Sequence, residues 1–135
     1  MITSAQEFLG LRNSSNRENY LRASTDTAPH EVWIEIIETF PDMKVWVVRN
    51  KTVPLAVLTL LATDPDANVR FAVATKNKLP LDLMALLAND PDESVRQRIA
   101  CNKNADFSVL DKLARDQSEL VSTPARNRIK LLGDR

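Results

Sequence analysis

Residues 51–74 read Lys51-Thr-Val-Pro-Leu-Ala-Val-Leu-Thr-Leu-Leu-Ala-Thr-Asp-Pro-Asp-Ala-Asn-Val-Arg-Phe-Ala-Val-Ala74, and 26 residues later the same sentence returns as Asn77-Lys-Leu-Pro-Leu-Asp-Leu-Met-Ala-Leu-Leu-Ala-Asn-Asp-Pro-Asp-Glu-Ser-Val-Arg-Gln-Arg-Ile-Ala100. A period of this length marks a repeat architecture, in which each unit buries its apolar face against its neighbours. The apolar positions within each copy have helical spacing. Each unit therefore reads as two antiparallel helices, the first over about 55–63 and 81–89, the second over about 65–75 and 91–101. The columns Leu58/Met84/Leu110, Leu61/Leu87/Leu113 and Val69/Val95/Val121 are expected to form the core. Ala62/Ala88/Ala114 are expected where two helices approach closely.

The repeat extends outward with drift. A third full unit runs from Lys103 to about Arg128, with Asp106 where Pro54 and Pro80 stand and with Pro124 expected to kink or restart the last helix. Upstream, Pro29 suits the first turn of a helix carrying Val32, Trp33, Ile36, Ile37 and Phe40. The β-branched run Val45–Val48 reads as helix, because Pro41 and Val45 lie 24 residues before Pro65 and Val69. Two short helices precede it, with capping-box spacing at Ser4/Glu7 and at Ser15/Glu18. The expected fold class is all-α: one domain over 1–135, with capping helices at 1–28, repeats at 29–128 and a polar C-terminal cap at 129–135.

In the turns Asp64-Pro65-Asp66 and Asp90-Pro91-Asp92, the first Asp is expected to cap the second helix, Pro to take its first position, and the second Asp to meet the helix dipole. Glu93 with Asp90, and Glu119 with Asp116, would complete capping boxes. Capping explains these carboxylates better than a metal or acid–base cluster does.

Composition narrows function. Eighteen basic residues balance eighteen acidic ones, so no net charge favours nucleic acid or an anionic membrane. Two glycines, Gly10 and Gly133, exclude a glycine-rich phosphate loop. The single cysteine, Cys101, permits neither an internal disulfide nor a cysteine metal cluster and implies a reducing compartment. No apolar run approaches the ~20 residues of a membrane span, and no cationic apolar leader opens the chain, so the expectation is a cytoplasmic protein. The lone histidine, His30, reads as a surface residue, and Cys101 as a half-buried structural thiol. No motif for catalysis or for a cofactor is present.

The pattern Leu-Leu-Ala-x-Asp-Pro-Asp-x-x-Val-Arg-x-x-(Val/Ile)-Ala resembles HEAT-type repeats. The short unit with its Asn-Lys-x-Pro link is especially similar to the leucine-rich repeat variant branch of bacterial α-solenoids. The resemblance covers about residues 29–128 and implies a right-handed superhelix of stacked helix pairs. It also implies a ladder between adjacent repeats from an Asp and an Arg six residues apart, here Asp64 with Arg70 and Asp90 with Arg96. The upstream unit departs from it, with Phe40 and Trp46 at the two positions, and the third unit keeps Asp116 but has Ser122.

The favoured function is a non-catalytic scaffold for another protein. Positions two residues off the buried stripe of the second helices should point outward, which offers Asn68, Phe71, Ser94, Gln97 and Arg98, with Trp46 and Val47 extending the ridge. Alternatively, Phe8, Leu11 or Tyr20 would fold over Trp46 and Phe71 and bury them. Lys51, Lys76, Lys78 and Lys103 follow second helices, where their charge suits the dipole or lines an edge for an acidic partner. Asn50, Asn77 and Asn102 fit left-handed helix ends. The competing reading is nucleic-acid binding along the Lys/Arg edge, with Trp46 and Asp42 as the residues nearest to a DNA-glycosylase-like base pocket.

Overall fold

A computed structural model describes residues 1–133; the last two residues of the expected 129–135 cap lie outside them. The described residues form ten α-helices and no strand, and Val45–Val48 is helical. The chain divides into two compact units, Met1–Asp64 and Pro65–Arg135.

The first unit contains α1 (Ala5–Arg12), α2 (Arg17–Thr25), α3 (His30–Thr39), a 3-10 turn (Pro41–Met43), α4 (Lys44–Arg49) and α5 (Leu55–Leu61). Helix α1 packs on α2 and α3, α2 on α4, and α3 on α4 and α5. Its core is aromatic at one end, where Phe8 meets Trp33 edge-on at 5.9 Å, and aliphatic through Ile36, Val47, Val48 and Leu61. Ser4 caps α1 as expected, accepting from the Glu7 N–H at 3.0 Å. The cap of α2 is Asn16 rather than Ser15: its Oδ1 accepts from the N–H groups of Glu18 and Asn19. An Asn side chain one residue nearer the helix reaches both orphan donors.

The second unit contains α6 (Ala67–Ala74), α7 (Leu81–Ala88), α8 (Glu93–Ala100), α9 (Phe107–Leu113) and α10 (Glu119–Gly133). Helix α8 is central and packs on α6, α7, α9 and α10; α7 also packs on α6 and α9, and α9 on α10. The second-unit members of the columns meet this core in register. Met84, Leu87, Val95, Leu110, Leu113 and Val121 are all buried, as are Leu61 and Val69, whereas Leu58 and Ala114 are only half-buried. Helix α10 runs through Pro124 as one helix rather than restarting. Pro124 costs it one hydrogen bond, which burial of Val121, Ser122 and Ala125 on either side offsets.

The acidic turns work differently from the sequence expectation. The caps are the second Asp of each turn: Asp66 accepts from the Asn68 N–H and Asp92 from the Ser94 N–H, both at 2.8 Å. Pro65 and Pro91 precede these caps instead of opening the helices. The first Asp is buried and holds a cation. Arg70 Nε donates to Asp90 Oδ2 at 2.8 Å while its Nη2 reaches Oδ1 at 3.2 Å. Arg96 does the same to Asp116, at 2.8 and 3.4 Å. In the first unit Lys44 Nζ donates to Asp64 Oδ2 at 2.8 Å.

All three pairs span 20 residues, and the cations Lys44, Arg70 and Arg96 repeat at 26. The upstream segment therefore follows the 26-residue register from Lys44 onward, not the 24-residue one read from its prolines. Two residues are missing from its first turn, which tightens into the 3-10 turn at Pro41–Met43. Phe40 and Trp46 are consequently not the ladder positions, and Lys44 is. Val47 and Val48 match the buried Val73/Ala74 and Ile99/Ala100.

Burial alone would raise the Asp116 carboxyl. The hydrogen bond from Arg96, the Ser118 N–H and the Arg96 charge outweigh it and hold the group below its ordinary value. Asn50 and Asn102 are not left-handed helix ends, since no described non-glycine residue has positive φ. They are buried amides that tie connecting segments together: Asn50 Nδ2 donates to the Ala23 and Asp26 carbonyls, and Asn102 Nδ2 to that of Lys76. Asn77 contributes its carbonyl, which accepts from Asn104 Nδ2.

Two stability experiments follow from this packing. Leu87→Ala is expected to cost about 2–5 kcal/mol in urea melts, whereas Leu86→Ala, at a position 44% exposed, should stay within about 0.5 kcal/mol. Similar losses at both would mean that the phase of α7 is misplaced. In a double-mutant cycle, Asp90→Ala and Arg70→Ala should each destabilise by roughly 3–5 kcal/mol, and together by clearly less than their sum. Asp90 with Arg96, whose side chain meets only the Asp90 carbonyl, should be close to additive.

Candidate partner-binding surfaces

The second unit carries a groove built by the phase of α6 and α8. Val69, Ala72 and Val73 turn α6 inward, which leaves Phe71 38% exposed beside them. On α8, Val95 and Ile99 are buried and Ser94, Gln97 and Arg98 lie off that stripe. Phe71, Ser94, Gln97, Arg98 and Cys101 together line a hollow of about 220 Å³. The structure thus brings together four of the ridge residues singled out from the sequence: Phe71, Ser94, Gln97 and Arg98. Phe71, Ser94 and Asn68 are exposed as expected; Gln97 and Arg98 are half-buried.

Cys101 is exposed, not half-buried. It is the C-cap of α8, one residue past the buried Ala100, so the helix ends before its side chain can turn inward. Its place at the groove rim was not legible in the sequence.

The lysines fall in both units. Lys51 is exposed in the first. In the second, the Asn102 and Asn104 side chains bind the Lys76 and Asn77 carbonyls, which sets the 76–78 segment beside 102–104. Lys76, Lys78 and Lys103 therefore share an edge. Arg128, which the sequence reading missed, joins it by donating from Nη2 to the Lys103 carbonyl at 2.6 Å. Burial holds the Lys76 ammonium below its ordinary pKa.

Trp46 belongs to the first unit and is half-buried. What covers it is a cation: the Arg12 guanidinium carbon lies 3.3 Å from the ring centroid, and that of Arg49 lies 4.7 Å away. Tyr20 lines a hollow together with Trp46, Arg12 and Arg49, whereas Phe8 and Leu11 are buried and Phe8 packs on Trp33. Asp42 is exposed on the 3-10 turn and is not part of that hollow. His30 is exposed in the first turn of α3. Among the described residues no group of three or more His, Cys, Asp or Glu side chains is placed to hold a metal ion, and no helix is long and apolar enough to cross a membrane.

A further apolar column was present in the sequence but not read. Leu55, Leu81 and Phe107 recur at 26 residues, each in the first turn of its helix, and are 52%, 56% and 60% exposed. The signal was the repeat itself: a large apolar residue kept at one register position outside the core stripe. Comparison of the chain with protein-family models, curated proteins and solved structures finds no match.

The rim position of Cys101 is checked by thiol labelling. The native protein should react fully with a small aromatic disulfide reagent without denaturant; protection until unfolding would place the thiol inside.

Proposed function

We propose that this chain is a non-catalytic protein-interaction scaffold whose helix pairs stack as a short right-handed α-solenoid of HEAT-like, leucine-rich repeat variant type. The groove around Phe71 is its partner site. The observation that carries this reading is an aromatic side chain left exposed on a helix whose core face is already complete, beside an arginine and a glutamine at the edge of a concavity. Aromatic and arginine side chains are those that dominate binding hot spots, and a rigid helical framework holds them without an ordering cost on association. The 26-residue recurrence of Lys44, Arg70 and Arg96 supports the repeat assignment, and the exposed Leu81 and Phe107 supply a second apolar surface on α7 and α9. The lone cysteine supports a reducing, cytoplasmic setting for this scaffold.

The test pairs Phe71→Ala with Arg98→Glu in capture from native lysate. Each is expected to lower partner capture at least tenfold and to leave the melting temperature within a few degrees. A large drop in melting temperature for Phe71→Ala with Arg98→Glu silent would remove the groove from the reading. Binding instead to mixed-sequence DNA, weakening steeply with salt and lost on Lys78→Glu and Lys103→Glu, would establish the nucleic-acid alternative along the lysine edge.

A further inference from the structure

Among the described residues the first unit holds three guanidinium groups with no carboxylate partner: Arg17, which is exposed, and Arg12 and Arg49, which gather on one ring. Its other paired cations are taken: Arg22 meets Asp26 at 2.9 Å and Glu7 at 4.0 Å, and Lys44 meets Asp64 at 2.8 Å. Among the described residues Arg12 and Arg49 have neither an ion pair nor a hydrogen-bond acceptor for their side chains. Both lie against Trp46 instead, and Arg12 also lies 4.5 Å from the Tyr20 ring centroid. The Nε of Arg12 is fully buried without a partner. A buried donor left unanswered is costly, and native chains keep few of them. Each arginine is the last residue of its helix, α1 and α4, where the dipole favours a cation. That accounts for the charge but not for the gathering of both on one indole at the wall of a hollow.

The hollow measures about 140 Å³, comparable to a benzene-sized cavity, and is lined by Arg12, Tyr20, Ala23, Ser24, Trp46 and Arg49. Stacking on a ring leaves the in-plane N–H donors of a guanidinium available, and such a fork matches an oxyanion bidentately. Two cationic forks call for two negative charges, which a phosphomonoester carries near neutral pH and a carboxylate does not. We propose that Arg12, Arg49 and Trp46 form a binding site for a phosphomonoester whose apolar, ring-sized body fills the hollow beside Tyr20 and Ala23. The phosphate is either that of a free small molecule or that of a phosphorylated aromatic side chain. The site lies wholly within the first unit and does not depend on the Phe71 groove.

The two indole N–H resonances provide the readout in the intact chain, because Trp33 is fully buried and serves as internal control for Trp46. Phenyl phosphate is expected to shift the Trp46 resonance saturably and to leave that of Trp33 in place. Inorganic phosphate should bind at least tenfold more weakly, and phenol should not bind. Arg49→Gln changes an exposed residue, so the fold is expected to survive; it should weaken phenyl phosphate at least tenfold. Arg12→Lys, which keeps the charge but loses the fork, should weaken it severalfold. A short phosphotyrosine peptide that binds at least tenfold tighter than phenyl phosphate would assign the site to a protein-borne group, and equal affinities would assign it to a free metabolite. No saturable shift with phenyl phosphate, equal binding of phenol, or wild-type affinity in Arg49→Gln would each overturn the proposal.

Discussion

A carboxylate taken out of water must be answered, and three such carboxylates govern how this chain is spaced. Asp64, Asp90 and Asp116 have side chains between 4% and 10% exposed, each in contact with a cation 20 residues earlier. Removing one partner strands the other, so the pairing constrains helix phase, turn length and repeat period together. The constraint reaches the backbone as well. Asp90 Oδ1 also accepts from the Asp92 N–H, Asp116 Oδ1 from the Ser118 N–H, and Arg96 additionally donates to the Asp90 carbonyl. One guanidinium thereby fixes both the turn it leaves and the turn it reaches.

The two units meet this requirement with different chemistry. Arg70 and Arg96 present planar forks that engage both carboxylate oxygens, whereas Lys44 offers a point charge to one. The lysine sits in the unit whose second helix has lost two residues and opens with a 3-10 turn. The series ends at Asp116, because Ser122 stands where the next cation would be and is itself buried. With these charges and the apolar columns satisfied, what remains for function is whatever the core does not consume: the Phe71 groove, the Leu81 and Phe107 surface, and the arginines around Trp46.

Trp46 illustrates how a residue changes meaning with its neighbours. On a register of 24 it looks like a substitute for the ladder arginine and part of an exposed ridge. On the register the structure adopts, the ladder cation is Lys44, and Trp46 becomes a platform for Arg12 and Arg49. Arg12 comes from a helix more than thirty residues upstream with no repeat to align it. No periodicity in the sequence could have named it.

The sequence by itself determined the helices, their phase and most of the core, because a helical stripe repeated at 26 residues leaves few alternatives for Leu87, Val95 or Leu113. It also contained the outward direction of Phe71, which follows from that phase, but not whether another segment covers it. The tertiary structure decided which Asp of each turn caps and which pairs, since both have the right type and lie two residues apart. Only burial against the preceding helix separates Asp90 from Asp92. Contacts across non-repeating segments were likewise settled in three dimensions: Asn50 beneath α2, Arg128 on the lysine edge, and the guanidiniums on Trp46. Local pattern fixes what each residue must do along its own helix. Which distant residue answers a buried charge or covers a ring depends on packing between helices, and one chain without a repeat at those positions does not encode that legibly.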